Sequence, residues 1–306
     1  MGLIAPPPTH PRRLVFLGTP DLAVPPLRAL VAAGFDVALV VSRGDKRRGR
    51  RAQPSASPVK EAALELGLAV STTIDDVLTV GADLAVVVAF GRLIKPHILA
   101  ELAMVNLHFS LLPRWRGAAP VERAILAGDP VTGVDLMAVE EGLDTGPVYA
   151  RQEVDIAADA TLASLQAELT EVGTRLLVDT LRTGLTPPQP QVGEATYADR
   201  IERSDRELRW DQPAAVLDRI VRVGGAWTTV HGSLLKVHDA EVVDDAEVLD
   251  HAPEAHRGPG SLHDDLVVAG SGALRLLEVQ PEGRPRLDAR AWLNGARLDT
   301  GDRLGG

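Results

Sequence analysis

Cysteine is absent from the 306-residue chain, which excludes a disulfide framework, a thiolate metal site and a cysteine nucleophile. Aromatic residues make up only 3% of the sequence, so a folded core must be built mainly from alanine, valine and leucine. No apolar run reaches the roughly 18 residues that suggest a membrane span. The N-terminus also lacks the charged start and long apolar centre of a signal peptide. These absences predict a cytoplasmic protein.

The net charge of −10 argues against general affinity for nucleic acid, because phosphate binding scales with the cations that a protein presents. The segment "SRGDKRRGRRAQ" is an exception, because it carries six cations and a single acid, Asp45. A basic segment on an acidic protein indicates one localised anionic partner, although a solvated loop is the alternative. The cations of this basic loop are Arg43, Lys46, Arg47, Arg48, Arg50 and Arg51.

Apolar runs alternate with helical stretches through the first part of the chain. The runs "LVFLG", "FDVALVV", "ADLAVVVAFG" and "MVNLH" are nearly all apolar, which is the pattern of strands covered by helices on both faces. This alternation predicts an α/β fold with a doubly wound, mostly parallel, Rossmann-like sheet. We expect a flexible tail over residues 1–12 and this domain over residues 13–187.

The composition and the pattern of apolar runs change after residue 187. Residues 188–206 are rich in proline and polar side chains, and we interpret them as a linker. Residues 207–306 contain one clear helix and several short apolar runs separated by turn residues. This pattern predicts a smaller β-rich domain, either a barrel or a sandwich.

Asn106 and His108 lie in "NLHFSLLPRWRGAAP", where a predicted strand ends. Side chains two apart on a strand share a face, and ligands of open parallel sheets lie outside the carboxyl ends of the strands. An amide can donate to an oxygen that gains negative charge, and an imidazole can move a proton near neutral pH. The alternative is a polar pair that caps loop backbone at the strand end.

Asp144 follows another predicted strand, in the turn "EEGLDTGP". Its carboxylate could orient His108 or accept a proton through it. The alternative is an Asx-turn aspartate that bonds only to its own turn.

Several motifs occur together in the order seen in methionyl-tRNA formyltransferases. They are "GTPD", "SPVK", "AFG", "NLHFSLLPRWRGAAP", "AILAGD", "EEGLDTG", "TYADRI", "LRW" and "LEVQPEG". The central block is typical of folate-dependent formyltransferases in general, and the flanking motifs narrow the resemblance to the enzymes that act on tRNA. The resemblance covers nearly the whole chain from about Arg13.

This resemblance implies transfer of a formyl group from 10-formyltetrahydrofolate to the α-amine of initiator methionyl-tRNA, which supplies N-formylmethionyl-tRNA for translation initiation. It implies neither a metal nor a nicotinamide, and it implies a monomer. The family's catalytic roles fall on Asn106, His108 and Asp144. The folate is expected against Ser110, Leu111, Leu112 and Pro113.

The same resemblance assigns a partner to the basic loop, which enters the acceptor end of the tRNA in the family. The pair Gly49 and Arg50 matches the family's important arginine after a glycine. The C-terminal domain of the family resembles an oligonucleotide-binding barrel that contacts tRNA. No aromatic stacking platform is evident in this part of the sequence, which favours shape and phosphate contacts over base stacking.

Two local alternatives and two rival functions stay open at this stage. Phe109 stands where the family often has a small residue, and it either narrows the folate pocket or packs beneath it. Trp115 either lines the pocket or packs within its loop. The rival functions are formyl transfer to another amine, such as an amino-sugar nucleotide or a purine precursor, and a non-catalytic RNA- or folate-binding module.

Overall fold

The computed structural model describes residues 4–47, 54–244, 258–296, 298 and 302–305, without the side chains of residues 46, 47 and 54. Two compact units are present. The first unit consists of Met1–Val121, Pro130–Ile156 and Ser164–Asp199, and the second consists of Glu122–Asp129, Ala157–Ala163 and Arg200–Gly306.

The first unit includes residues 188–199, the first part of the predicted linker. The predicted boundaries of the tail, the catalytic domain, the linker and the C-terminal domain stay a prediction.

Short and long strands alternate with helices along the chain. The strands are β1 (Arg13–Gly18), β2 (Asp36–Val41), β3 (Lys46–Arg47), β4 (Pro54–Ser55), β5 (Val70–Ser71), β6 (Leu84–Val88), β7 (Met104–His108), β8 (Arg116–Gly117), β9 (Val131–Ala138), β10 (Val148–Asp155), β11 (Tyr197–Ala198), β12 (Ala226–Val230), β13 (Ser233–Val243), β14 (Leu262–His263), β15 (Leu266–Val268), β16 (Ala273–Pro281) and β17 (Leu287–Asp288). The helices are α1 (Val24–Ala32), α2 (Pro58–Glu65), α3 (Pro96–Glu101), α4 (Pro120–Ala127), α5 (Leu162–Thr183), α6 (Ala214–Val223) and α7 (Ala289–Ala296).

A seven-stranded sheet forms the centre of the first unit, in the order β10-β9-β7-β6-β1-β2-β5. The five strands from β7 to β5 are parallel to one another, whereas β9 and β10 run antiparallel at one edge. Every residue of β6 is buried, as expected for a strand covered on both faces. The predicted mostly parallel, Rossmann-like sheet is confirmed.

The path of the chain through this sheet creates a crevice. From β1 it moves outward through β2 to β5, and it then returns to the other side of β1 to form β6 and β7. Strand order therefore reverses between β1 and β6, and ligands of such sheets bind outside the carboxyl ends of the strands at this point. Strand β7 ends beside this crevice at His108.

The N-terminus of helix α2 is hydrogen-bonded to the residue that precedes the basic loop. Ser57 is its N-cap and accepts a hydrogen bond from the Lys60 backbone N–H at 3.1 Å, and Pro58 occupies the first turn, as the sequence predicts. The buried hydroxyls of Ser57 and Ser42 lie 2.6 Å apart. Because Ser42 directly precedes the first cation of the loop, this contact ties the loop to the helix.

The second unit is built on an antiparallel sheet in the order β12-β13-β16-β15-β14, with β17 paired to β16. Its core includes Trp210, Leu217, Val237, Leu274 and Trp292. The predicted β-rich C-terminal part is confirmed. None of the helices in the described ranges has both the length and the apolar character that a membrane crossing requires.

Candidate active site

The end of β7 presents a short row of functional side chains. Asn106 lies opposite Met137 of β9, and His108 lies opposite Asp135, so these four side chains share one face of the sheet. His108 is buried, and Asn106 is half-buried. Within the described part of the chain, the Asn106 amide has no hydrogen-bond partner, which leaves it free to bind a ligand.

The two ring nitrogens of His108 have different environments. Nε2 lies 2.9 Å from the backbone carbonyl oxygen of Trp115. Because a carbonyl only accepts hydrogen bonds, Nε2 must carry a hydrogen. Nδ1 is therefore the nitrogen whose protonation can change, and it lies 3.8 Å from Oδ2 of Asp144. This distance suits an ion pair with protonated histidine and is too long for a hydrogen bond.

The Asp144 carboxylate is held by backbone far away in the sequence. Its Oδ2 accepts the N–H of Gly117 at 2.8 Å, and its own φ of 49° lies in the left-handed region that aspartate tolerates. Gly117 has a φ of 129°, and a Cβ there would lie 2.7 Å from the carbonyl oxygen of Ala198. Only glycine fits this close approach, so the residue type helps to place the carboxylate beside the imidazole.

Gln191, within the predicted linker, organises the turn that carries Asp144. Its side-chain amide donates to the carbonyls of Asp144 and Gly146, each at 2.8 Å. Its Oε1 accepts from Nη2 of Arg116 at 2.6 Å. Sequence reasoning missed this residue, because no periodic pattern distinguishes one glutamine in a proline-rich stretch.

Thr196 connects the same segment to the loop after β7. Its hydroxyl oxygen accepts the Trp115 N–H at 2.9 Å, and its carbonyl accepts the Arg116 N–H at 2.9 Å. Strand β11 then pairs with β8 in parallel. The segment from Gln191 to Ala198 therefore forms part of the frame of the candidate site.

The segment predicted to contact folate is largely packed into the protein. Ser110 is fully buried, and its hydroxyl donates to the carbonyl of Arg114 at 2.6 Å. Leu112 packs with Met137 and Val148, and Pro113 is also buried. Leu111 is half-buried. Within Ser110–Pro113, a ligand therefore meets Leu111 and backbone more readily than the other side chains.

An ion pair between a fully buried carboxylate and a partly exposed arginine supports this segment. The carboxylate of Asp135 is fully buried and accepts from Nε and Nη2 of Arg151 at 2.7 and 2.6 Å. Asp135 also accepts the Leu112 N–H at 2.8 Å, and Arg151 donates to the Leu112 carbonyl at 2.5 Å. Hydrogen bonds to Asp135 raise the pKa of Arg151. Sequence reasoning missed this pair, although one aspartate inside the apolar strand "GVDLMAV" is a signal that a buried carboxylate has a polar partner.

The basic loop is only partly described. Arg48, Arg50 and Arg51, as well as the side chains of Lys46 and Arg47, lie outside the described residues, so Arg43 alone among the predicted tRNA contacts can be placed. Asp45 binds Lys60 of α2, with Oδ1 and Nζ 2.8 Å apart. The negative charge of Asp45, the single acid of the loop, is thus neutralised by Lys60, which lies outside the loop.

Two further sequence alternatives can be compared with the structure. Phe109 is buried in the core, in line with the alternative that it packs beneath the site. Trp115 is half-exposed, with the Arg114 guanidinium 4.4 Å from its ring centroid. Its carbonyl binds His108, so Trp115 contributes to the site through its backbone.

The crevice between β1 and β6 also carries an unusual polar atom. The Thr19 hydroxyl, directly after β1, is buried and has no hydrogen-bond partner in the described part of the chain. At the end of β6, Ala89 has a φ of 45°, which is uncommon for alanine. Among the described residues, no three His, Asp or Glu side chains are grouped so that they could hold a metal ion.

Comparison with known protein families defines the class of protein. A family model described as "Formyl transferase" matches residues 12–181, and a second, "Formyl transferase, C-terminal domain", matches residues 200–297. The chain thus contains both domains of a formyl transferase.

Curated relatives narrow this class. The methionyl-tRNA formyltransferase of Heliobacterium modesticaldum is 40% identical over 315 residues, which cover 96% of this chain and 100% of the relative. That of Roseobacter denitrificans is 42% identical over 308 residues, which cover 94% and 97% of the two chains. The chain belongs to the methionyl-tRNA formyltransferase family.

Solved structures of more distant proteins share the fold. An N-formyltransferase from Helicobacter canadensis, crystallised with folinic acid and dTDP-3-aminofucose, superimposes with a TM-score of 0.64 at 15% identity and covers 87% of this chain and 99% of its own. HypX from Aquifex aeolicus, in complex with tetrahydrofolic acid, gives a TM-score of 0.61 at 18% identity. That match covers 93% of this chain and 47% of HypX.

Proposed function

We propose that this protein transfers the formyl group of 10-formyltetrahydrofolate to the free α-amino group of initiator methionyl-tRNA and so produces N-formylmethionyl-tRNA for translation initiation. Similarity to methionyl-tRNA formyltransferases over nearly the full length of the chain carries the proposal. The arrangement of Asn106, His108 and Asp144 supports it, because the last two approach each other although they are 36 positions apart in the sequence.

The residues at the end of β7 fit a formyl-folate co-substrate. The co-substrate supplies a formyl carbon bonded to folate N10. Beside the crevice, the Asn106 amide is half-buried with no protein partner in the described part of the chain, and Leu111 offers apolar surface from the loop that follows. A free amide donor suits the formyl oxygen, and the apolar surface beside it suits the benzoyl ring that is attached to N10.

The chemistry requires one bond to form and one to break. The α-nitrogen of methionine bonds to the formyl carbon, the bond from that carbon to N10 breaks, and one proton passes from the amine to N10. Asn106 donates to the formyl oxygen while this oxygen carries negative charge. His108 takes up and returns the proton at Nδ1, since Nε2 is engaged by the Trp115 carbonyl. Asp144, 3.8 Å from Nδ1, stabilises the protonated ring.

The basic loop is proposed to hold the acceptor end of the tRNA. Its six cations, Arg43, Lys46, Arg47, Arg48, Arg50 and Arg51, stand against one acid, and that acid is already paired with Lys60. The loop therefore presents excess positive charge to phosphates, which position a nucleic acid without reading its sequence. Arg50, after Gly49, is proposed to contribute most.

A formylation assay tests the proposed function. Purified protein and 10-formyltetrahydrofolate are offered methionylated initiator tRNA, methionylated elongator tRNA or an amino-sugar nucleotide. We expect formyl transfer to the initiator tRNA only. Transfer to the amino sugar without transfer to tRNA would replace this function with the rival one, and folate binding without any transfer would indicate a non-catalytic module. The protein is further proposed to act as a cytoplasmic monomer, which sedimentation and cell fractionation can test.

A further inference from the structure

A cavity of about 440 Å³ opens on the second unit, in the size range of small-ligand pockets. It is formed by the segment that enters this unit and by strands β12 and β13. We call it the Trp227 pocket. Its lining includes Ile201, Arg203, Arg206, Trp227, Leu234 and Lys236.

The charge of the Trp227 pocket is opposite to that of the whole protein. Arg203, Arg206 and Lys236 line it together with a single acid, Glu202, whereas the chain has a net charge of −10. A local excess of cations on an acidic protein concentrates anions at this site. The ligand should therefore carry negative charge.

The pocket also contains a stacking surface. The indole of Trp227 is half-exposed, and the Arg203 guanidinium lies 4.7 Å from its ring centroid. Trp227 Nε1 donates to the Arg203 carbonyl at 3.0 Å, which fixes the ring. Lys236 is the direct cross-strand neighbour of Trp227, so its ammonium group stands on the same face. Aromatic rings flanked by arginine are the platform on which proteins stack single-stranded bases.

The cationic segment is held in place before any ligand binds. The Asp205 carboxylate accepts the Glu202 N–H and Nη2 of Arg123, both at 3.0 Å. The Glu202 N–H, followed by Arg123, holds the pKa of the Asp205 carboxyl below its usual value. The Arg206 N–H donates to the Arg203 carbonyl at 3.2 Å. These hydrogen bonds hold the backbone of the segment that carries Arg203 and Arg206.

Arg206 supplies a donor without an acceptor. Its Nε is buried and has no hydrogen-bond partner in the described part of the chain. The guanidinium packs over Gly225, where an added Cβ would lie 2.8 Å from Nη1. Arg206 nevertheless lines the pocket, and its guanidinium brings positive charge to a ligand phosphate there.

We propose that the Trp227 pocket binds one unpaired nucleotide of the tRNA, with its base stacked on the Trp227–Arg203 pair and its phosphate near Arg206 and Lys236. The identity of the RNA rests on the proposed function. Base stacking thus joins the phosphate contacts that the sequence favours for this part of the chain. The platform escapes sequence analysis because Trp227 stands alone in "GGAWTT" and Arg203 is 24 positions away.

Steady-state kinetics of the full-length protein test this pocket. We expect Trp227→Leu to raise the KM for methionyl-tRNA about tenfold, since stacking contributes strongly to base binding, while kcat and the KM for folate stay unchanged. Trp227→Phe keeps a ring and should restore most of the affinity. Lys236→Glu changes only an exposed side chain and should also raise the tRNA KM. Arg284→Ala removes an exposed cation of the same unit outside the pocket and serves as the control.

Fluorescence supplies a second measurement that does not depend on formyl transfer. Addition of a short single-stranded RNA should quench tryptophan emission of the wild type, and the quenching should disappear in Trp227→Phe. Equal quenching in both proteins would contradict nucleotide binding in the Trp227 pocket. An unchanged tRNA KM in folded Trp227→Leu and in Lys236→Glu would contradict it as well. Absence of formyl transfer to methionyl-tRNA in the wild type would instead overturn the proposed function, and RNA quenching would still report on the pocket.

Discussion

The guanidinium of Arg151 on β10 donates two hydrogen bonds to the fully buried carboxylate of Asp135 on β9. One of its nitrogens also donates to the Leu112 carbonyl. Asp135 in turn accepts the Leu112 N–H. The backbone N–H and carbonyl of Leu112 are thus both held by the ion pair of Asp135 and Arg151. The loop between β7 and β8 is therefore anchored to the antiparallel edge of the sheet, below the segment proposed to meet folate.

Loss of this anchor should destabilise the protein. Arg151→Met leaves the Asp135 carboxylate buried without its cation, and we expect the free energy of unfolding to fall by about 1.5–3 kcal/mol, as for hydrogen bonds to charged groups. Urea unfolding measures the change. Arg175→Met is the matched control, because Arg175 pairs with Glu171 on the exposed face of α5 and such pairs contribute at most about 0.5 kcal/mol. Equal losses in the two variants would contradict the anchor.

The Asn106 amide should be essential for the rate. We expect Asn106→Ala to lower kcat about 10²–10³-fold, the usual effect of removing one oxyanion donor, with little change in thermal stability. The other asparagine of the chain, Asn294, is exposed on α7, so Asn294→Ala provides a control in the same assay. A folded Asn106→Ala enzyme that works nearly as fast as the wild type would remove Asn106 from the chemistry.

Gln191 should act on catalysis through the turn that carries Asp144. Gln191→Leu deletes the hydrogen bonds to the carbonyls of Asp144 and Gly146, and we expect kcat to fall roughly tenfold, since a lost hydrogen bond corresponds to about 1 kcal/mol and geometry at the site is also relaxed. The exposed Gln189 in the same segment offers the control Gln189→Leu. Identical kcat values for both variants would show that the turn of Asp144 keeps its geometry without Gln191.

The basic loop should make tRNA use sensitive to salt. For the wild type, log KM for methionyl-tRNA should rise steeply with log salt, and replacement of the six loop cations by glutamine should flatten this slope. Arg50→Gln should have the largest effect of the single changes. The folate KM serves as the internal control, because it should not follow the number of loop cations. Salt-independent use of tRNA would remove the loop from tRNA binding.

Asp83 should give a small, pH-dependent contribution to stability. The backbone N–H groups of Arg13 and Arg12 hold the pKa of its carboxyl below the usual 3.8. This stabilisation is present above pH 3.8 and is lost as pH falls through the lower pKa of the folded state. We therefore expect Asp83→Asn to be less stable than the wild type at pH 7 by under about 1 kcal/mol, since the site is exposed. The difference should shrink at pH 3, and a difference that is constant with pH would contradict this account.

Local patterns were sufficient for much of the fold and for two of the three residues proposed to be catalytic. Continuous apolar runs predicted the buried parallel strands, and two-residue periodicity placed Asn106 beside His108 at a strand end. The approach of Asp144 to His108 depends on the Gly117 contact, which no local pattern contains. Gln191 and Trp227 were missed for the same reason, since each acquires its role only from residues distant in sequence.

The segment that follows α5 bears on how this enzyme can be shortened. Gln191, Thr196 and Ala198 bind the loop after β7 and the turn of Asp144. A fragment truncated at residue 187 would lose all of these contacts while keeping Asn106, His108 and Asp144. A fragment that keeps these contacts must extend at least to Ala198, so inactivity of a shorter piece would not show that catalysis requires the second unit.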